Sequence, residues 1–200
     1  MGSILFCFVL AVSFWCTSLI MDRQQLNSQL IRFHVVANSD SQADQNMKLQ
    51  VRDAVLQSIR TDLRNLTDTT QAKIYLEENL PRIQAIANAV LHEAGFEQKT
   101  LVTLGRETFD KRVYDTFTLP AGVYPSLRIT IGEGAGQNWW CVTFPSLCIP
   151  ATSEEFQQVA VTSGFSDSLT GALVGERSYE IRFYLLDLMG RLENIFYSGE

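Results

Sequence analysis

Hydrophobic positions change their period several times along this chain, and each change marks an element. Residues 4–21, ILFCFVLAVSFWCTSLIM, are apolar almost throughout and carry no polar face. A run of that length crosses a bilayer core of about 30 Å as a helix. A buried core helix of a globular domain would show a polar stripe, and this run shows none. A polar joint, DRQQLNSQ, follows it. Residues 30–37 are rich in β-branched and aromatic side chains and predict a first strand. The strand ends in Asn38, Ser39, Asp40 and Ser41, a cluster of turn formers. Ser41 followed by Asp44 fits a capping box. The helix it opens lines up Met47, Val51, Val55, Ile59 and Leu63 on one side, with Lys48, Arg52, Asp53 and Arg60 facing elsewhere.

A polar break at residues 65–70 precedes a second helical stretch, which Pro81 is expected to interrupt or kink. Ile83, Ile86, Ala87, Val90 and Leu91 form its apolar stripe, and Gly95 is a C-terminal stop. From Lys99 onward the period becomes two. Residues 100–109 and 111–119 read as strands, and Leu127, Ile129 and Ile131 alternate with Arg128 and Thr130 as in a half-buried strand. A glycine-rich stretch, GEGAGQN, leads into a further strand, WWCVTF, and Phe144-Pro145 allows a tight reversal. Residues 149–175 are rich in Ser, Thr, Gly and Gln and read as a mobile excursion with a short helix around 153–160. A long helix starts near Ser178. Its Ile181, Leu185, Leu188, Leu192 and Ile195 recur at spacings of four and three, a seam expected to pack into the core, with a coiled-coil partner site as the alternative. This order predicts an α+β fold, a mostly antiparallel sheet with helices packed on one face, preceded by an N-terminal apolar membrane-targeting helix. The expected organisation is a signal or anchor segment at residues 1–22 and one extracytoplasmic domain at residues 23–200.

Charge sharpens this picture. The net charge is -6, and no charged residue precedes Asp22. The acidity lies behind the leader, so nucleic acid is not an expected partner and membrane contact is expected through residues 4–21 only. No Lys or Arg precedes the apolar run, no A-x-A site follows it, and Cys16 lacks the small neighbours of a lipoprotein site. Signal peptide and retained anchor both stay open. Cys7 and Cys16 lie in the leader as small hydrophobes. Cys141 and Cys148, in CVTFPSLC, read as a disulfide in an exported chain, and as two thiols in a reducing cytosol. Only His34 and His92 could join cysteines around zinc, and neither has ligand spacing, so no metal or cofactor is expected.

Candidate chemistry is sparse. Gly132, Gly134 and Gly136 lack dinucleotide-fingerprint spacing and precede a strand rather than a helix N-terminus, which predicts a turn needing positive φ. His34 lies among strand residues and His92 on a helix, where packed or surface roles are the expectation. Asp40, Asp115 and Glu133 could pair for glycoside hydrolysis only if the fold converged them. Trp139 and Trp140 are neighbours on a strand and must point to opposite faces, so that one can fill the core while the other faces outward, unless a helix covers both faces.

Two long segments carry a family resemblance. LIRFHVVANSDSQADQNMKLQVRDAV and IGEGAGQNWWCVTFPSLC, with LPAGVYPSLRI before the second, resemble stage II sporulation protein R over residues 30–148. The resemblance implies a signal protein of endospore-forming bacteria, made in the forespore and exported into the space between the two membranes. There it would trigger a mother-cell membrane-embedded aspartic protease that processes the precursor of sigma-E, without being a protease itself. On this reading the partner-binding surface comprises Asn38, Ser39, Asp40, Gly132, Glu133, Gly134, Gly136, Gln137, Asn138 and the outward member of Trp139 and Trp140. The rival is an envelope-associated hydrolase acting on cell wall, which would need two convergent acids or a His-based pair in one cleft, and which loses most of its weight if His34, Asp40 and Glu133 lie far apart. Alkylation of the unreduced, exported protein is expected to leave Cys141 and Cys148 unmodified. Ready labelling of both would remove the bridge.

Overall fold

A computed structural model describes residues 2–66, 68–145 and 153–197. In chain order the elements are α1 (Gly2–Gln29), β1 (Ile31–Val36), α2 (Gln42–Arg64), α3 (Thr69–Glu93), β2 (Thr100–Phe109), β3 (Arg112–Val113), β4 (Thr118–Leu119), β5 (Gly122–Ile131), β6 (Asn138–Phe144), α4 (Ser153–Thr162), α5 (Asp167–Val174), a 3-10 turn at Arg177–Tyr179 and α6 (Glu180–Phe196). The α+β class holds. The chain divides into two compact units: Met1–Ser28, Thr108–Val123 and Thr152–Ser198 in the first; Gln29–Glu107, Tyr124–Ala151 and Gly199–Glu200 in the second.

The second unit is built on a sheet of order β2-β5-β1-β6. It is mixed: β1 runs parallel to β5 and antiparallel to β6. Ile31, Phe33 and Val35 of β1 and Leu127, Ile129 and Ile131 of β5 face Met47, Val51, Val55, Ile59 and Leu63 of α2 and Ile83, Ala87 and Leu91 of α3 in one apolar core. The period of two in the strands meets the period of 3.6 in the helices, as the sequence pattern requires. Ser41 caps α2, its side chain accepting from Asp44 N, and Asp68 caps α3 by accepting from Gln71 N. Pro81 does not break α3, which runs unbroken through it. Pro81 and Glu77 are exposed, so the helical hydrogen bond that proline cannot make is lost on the solvent side of the helix. Lys48 is not on a solvent face: it is 5 % exposed, its ammonium donating to Gln45 Oε1 at 2.6 Å and Gln137 O at 2.9 Å. Cys141 is disulfide-bonded, Cys7 and Cys16 are free, and the expected partner Cys148 lies outside the described residues.

In the first unit the joint after the leader is not a joint. Residues 22–29 continue α1 without a break, and Leu19, Asp22, Arg23 and Leu26 are buried. Residues 111–119 hold only the two-residue strands β3 and β4, paired as a small hairpin. Of the expected excursion at 149–175, residues 149–152 lie outside the described residues, and the rest forms α4 and α5 with Phe156, Phe165, Leu169 and Leu173 buried. Phe117 stacks on Phe156 with ring centroids 4.4 Å apart, so an apolar anchor at about every fourth residue holds what composition alone made look loose. Ser166 caps α5, and Gly175 closes it at φ +79°.

The largest departure is α6. Its regular seam is outside: Ile181, Leu188, Leu192 and Ile195 are exposed, with Ile195 at 74 %. The buried face is Leu186, Asp187 and Gly190. Asp187 Oδ1 accepts the Ala121 N–H at 2.9 Å. A Cβ on Gly190 would sit 1.6 Å from Ala121 O. The helix has therefore turned its smallest face inward to bring its axis against a backbone segment, and the leucine seam, diametrically opposite, points away. Gly190→Ala should destabilise the protein by more than Leu192→Ala, because backbone cannot move aside for the new methyl. Leu186→Ala should cost about 2–5 kcal/mol and Leu192→Ala under about 1 kcal/mol, read by urea denaturation. A Leu192→Ala loss as large as that at Leu186 would return the seam to the core.

Candidate functional site

The candidate surface arises from strand order. β1 is flanked by β5 and β6, and Val36 at its end pairs with Thr130 on one side and Asn138 on the other. The segment joining β5 to β6, residues 132–137, must therefore pass over the end of β1, where residues 38–41 leave it. Ala135 N donates to Asn38 O at 3.1 Å and Gly136 N to Ala37 O at 2.9 Å. The side chains add two more ties: Asn38 Oδ1 accepts Glu133 N at 3.1 Å, and Asp40 Oδ1 accepts Gln137 N at 2.7 Å. Two segments nearly a hundred residues apart thus close into one knot. All nine expected partner-binding residues other than the tryptophans lie in it or, at Asn138, at its edge.

Glycine is required at three of these positions. Gly132 and Gly134 have φ +55° and +63°, and a Cβ on Gly136 would stand 2.3 Å from Ser39 O. Beneath the turn, Asp44 Oδ2 accepts Ser39 Oγ at 2.5 Å and Asn38 Nδ2 at 3.0 Å. Those bonds, Ser39 first, hold its carboxyl below the ordinary value. Burial pushes the Lys48 ammonium down, with the Asp40 charge opposing. Asp40, Glu133, Ala135 and Gln137 are exposed on the outside of the knot.

Trp139 and Trp140 do point to opposite faces. Trp139 lies on the helix side, its ring edge-on to Phe33 at 6.0 Å and under the Arg52 guanidinium at 4.7 Å. Trp140 lies on the other face and stacks on His34, centroids 4.7 Å apart and 4° from parallel. Both are half-buried, so Trp140 is the one turned away from the helices but not a free outward ring. The charged partner shown for His34 is Glu107. The histidine Nε2 lies 2.5 Å from Glu107 Oε2, and Arg128 Nη1 lies 3.4 Å from Glu107 Oε1. Trp140, His34 and Arg128 form one cross-strand row, since His34 is in register with both. Glu107 had no signal in the sequence, being 73 residues from His34, and neither did Lys48 as a ligand of the glycine segment.

Burial alone would raise the Glu107 carboxyl, but the His34 hydrogen bond and charge, with Arg128, outweigh it and leave it below its ordinary 4.5. A carboxyl depressed in the folded state contributes stability that is present above its unfolded value and lost as pH falls through the folded one. Wild-type melting temperature should fall as pH drops below about 4.5, and Glu107→Gln should lower it near neutrality while making that acid decline shallower. An unchanged acid slope in Glu107→Gln would show that the pair contributes nothing.

The model of the stage II sporulation protein R family matches residues 27–154. That range takes in both halves of the knot, the Trp140–His34–Arg128 row and Glu107. Stage II sporulation protein R of Bacillus subtilis (strain 168) is 40% identical over 120 residues, 60% of this chain and 54% of that protein. The match thus spans about half the relative's length. No solved structure matches the chain significantly. With the family match covering well over half its residues, the chain belongs to the stage II sporulation protein R family.

Proposed function

We propose that this chain is an exported signalling protein of endospore formation, not an enzyme, that activates a mother-cell membrane aspartic protease and so leads to processing of pro-sigma-E. Family membership supports the sporulation role. The observation that carries the finer reading is the knot. It joins residues 38–41 to residues 132–137 through bonds internal to the surface, leaving exposed side chains on a backbone that is already fixed. A preorganised surface binds with little ordering cost. Exported from the forespore into the intermembrane space, it would bind the active state of the protease better than the inactive one and shift that population.

A wall-hydrolase reading keeps two observations, the exposed Asp40 and Glu133 carried on the same knot and the His34–Glu107 pair. His34 is only 2 % exposed and Trp140 lies flat on its ring, which favours a packing role. The two readings separate in cells that co-produce the protease, pro-sigma-E and variants of this chain. Ala135→Lys, at the exposed crest of the knot, and Trp140→Ala should cut processing at least tenfold, with the Ala135→Lys melting temperature unchanged. Glu133→Gln and His92→Ala should retain it. If Ala135→Lys and Trp140→Ala signal normally while a stably folded His34→Ala or Glu107→Gln is inactive, the surface proposed here is wrong and a chemical role replaces it.

A further inference from the structure

Helix α1 carries two incompatible kinds of surface, and the boundary between them lies inside one unbroken helix. Ile4, Phe6, Phe8 and Phe14 are more than 60 % exposed, in a helix whose most apolar 18-residue stretch has a mean hydropathy of 2.4. From Ser18 onward the same helix is gripped by its own unit. Arg182 Nη2 donates to Ser18 Oγ at 2.7 Å, and Arg182 Nε donates to Asp22 Oδ2 at 2.5 Å. Ser166 Oγ donates to Asp22 Oδ1 at 3.1 Å. Arg23 donates to Ala121 O at 2.9 Å and pairs with Glu193, which also accepts Asn27 Nδ2 at 3.1 Å. Asp22 and Arg23 are 3 % and 6 % exposed, and Leu19 and Leu26 are buried beside them.

This grip bears on the fate of the leader. A signal peptidase needs an accessible site with small residues. The exit of the apolar run is Leu19-Ile20-Met21-Asp22-Arg23, large side chains in helical conformation. A cut after Asp22 would remove the carboxylate that Arg182 binds, leaving a buried guanidinium unmatched. A cut before Ser18 would leave too few apolar residues for an anchor and too much folded helix for a linker. Residues 4–21 rise about 27 Å as a helix, close to the hydrocarbon thickness of about 30 Å, so the buried Asp22–Arg182 pair begins where the lipid ends.

We propose that α1 is an uncleaved membrane anchor, rigidly continuous with the folded first unit rather than joined to it by a flexible tether, and that its partner over residues 4–21 is the lipid bilayer. This goes beyond the signalling reading and does not depend on it, because it is tested on mass and protease accessibility, not on sigma-factor processing.

The full chain with a C-terminal tag is produced in a spore-forming host and its membranes are isolated. Intact mass is expected to correspond to the whole chain, apart from N-terminal methionine processing, and the protein is expected to stay in the pellet through alkaline carbonate. An N-terminus anywhere between residues 5 and 28 overturns retention. Trypsin added to the membranes is expected to leave the Arg23–Gln24 bond uncut in wild type. In Asp22→Asn, which keeps the side-chain shape but removes the charge, cleavage there should rise at least tenfold with the mass and membrane attachment unchanged. Rapid cleavage at Arg23 in wild type, releasing a folded fragment, overturns the rigid joint. Equal protection in Asp22→Asn and wild type overturns the ion pair as its cause.

Discussion

β1 has hydrogen-bonding partners on both edges, and most of the second unit follows from that. A strand flanked on both sides has no free edge, and all six residues of β1 are buried, including Arg32 and His34. Its helix-facing residues, Ile31, Phe33 and Val35, join α2 and α3 in the core. The alternate residues must then find polar or aromatic company on the other face. Arg32 lies 5.3 Å from the Tyr124 ring centre, and His34 is held between Trp140 and Glu107. Because unpaired buried charges are costly, central placement of this strand demanded those neighbours.

The same placement makes the candidate surface. With β5 and β6 on opposite sides of β1, their connection has one way across, over the strand's end. Gly134 and Gly136 allow the chain to turn there and to approach Ser39 closely. Asn38 and Asp40, which in isolation would only shape a turn, become acceptors for the backbone crossing above them. Asp44 works from two sides, its backbone N–H received by the Ser41 cap and its carboxylate fixing Asn38 and Ser39. The family match covers this surface and ends before α5 and α6, which places the shared part of the chain in the knot and sheet.

In the first unit, polar contacts rather than apolar area decide which way helices face. α6 puts Asp187 and Gly190 against the Ala121 backbone and offers Arg182 and Glu193 to α1. Each of these contacts is directional and admits one rotation of the helix, whereas the apolar seam could have packed against any greasy surface. Specificity of orientation thus comes from groups that would be expensive to bury unpaired.

What the sequence determined by itself was local. Periodicity gave the apolar faces of α2 and α3, the Ser41 cap, the Gly95 stop, β2, β5 and β6, and the opposite orientation of Trp139 and Trp140, because backbone geometry alone sets these. Residue type gave the glycine turn, and two long motifs gave the family. Tertiary structure decided what no local rule encodes: the parallel pairing of β1 with β5, the meeting of Asn38 with Glu133, and the pairing of His34 with Glu107. It also decided which face α6 buries and that Asp22 and Arg23 belong to a folded helix rather than a joint. A seam of leucines reports that a helix has an apolar side. It does not report that a glycine on the opposite side allows a closer approach, and at α6 the closer approach with its paired charges won.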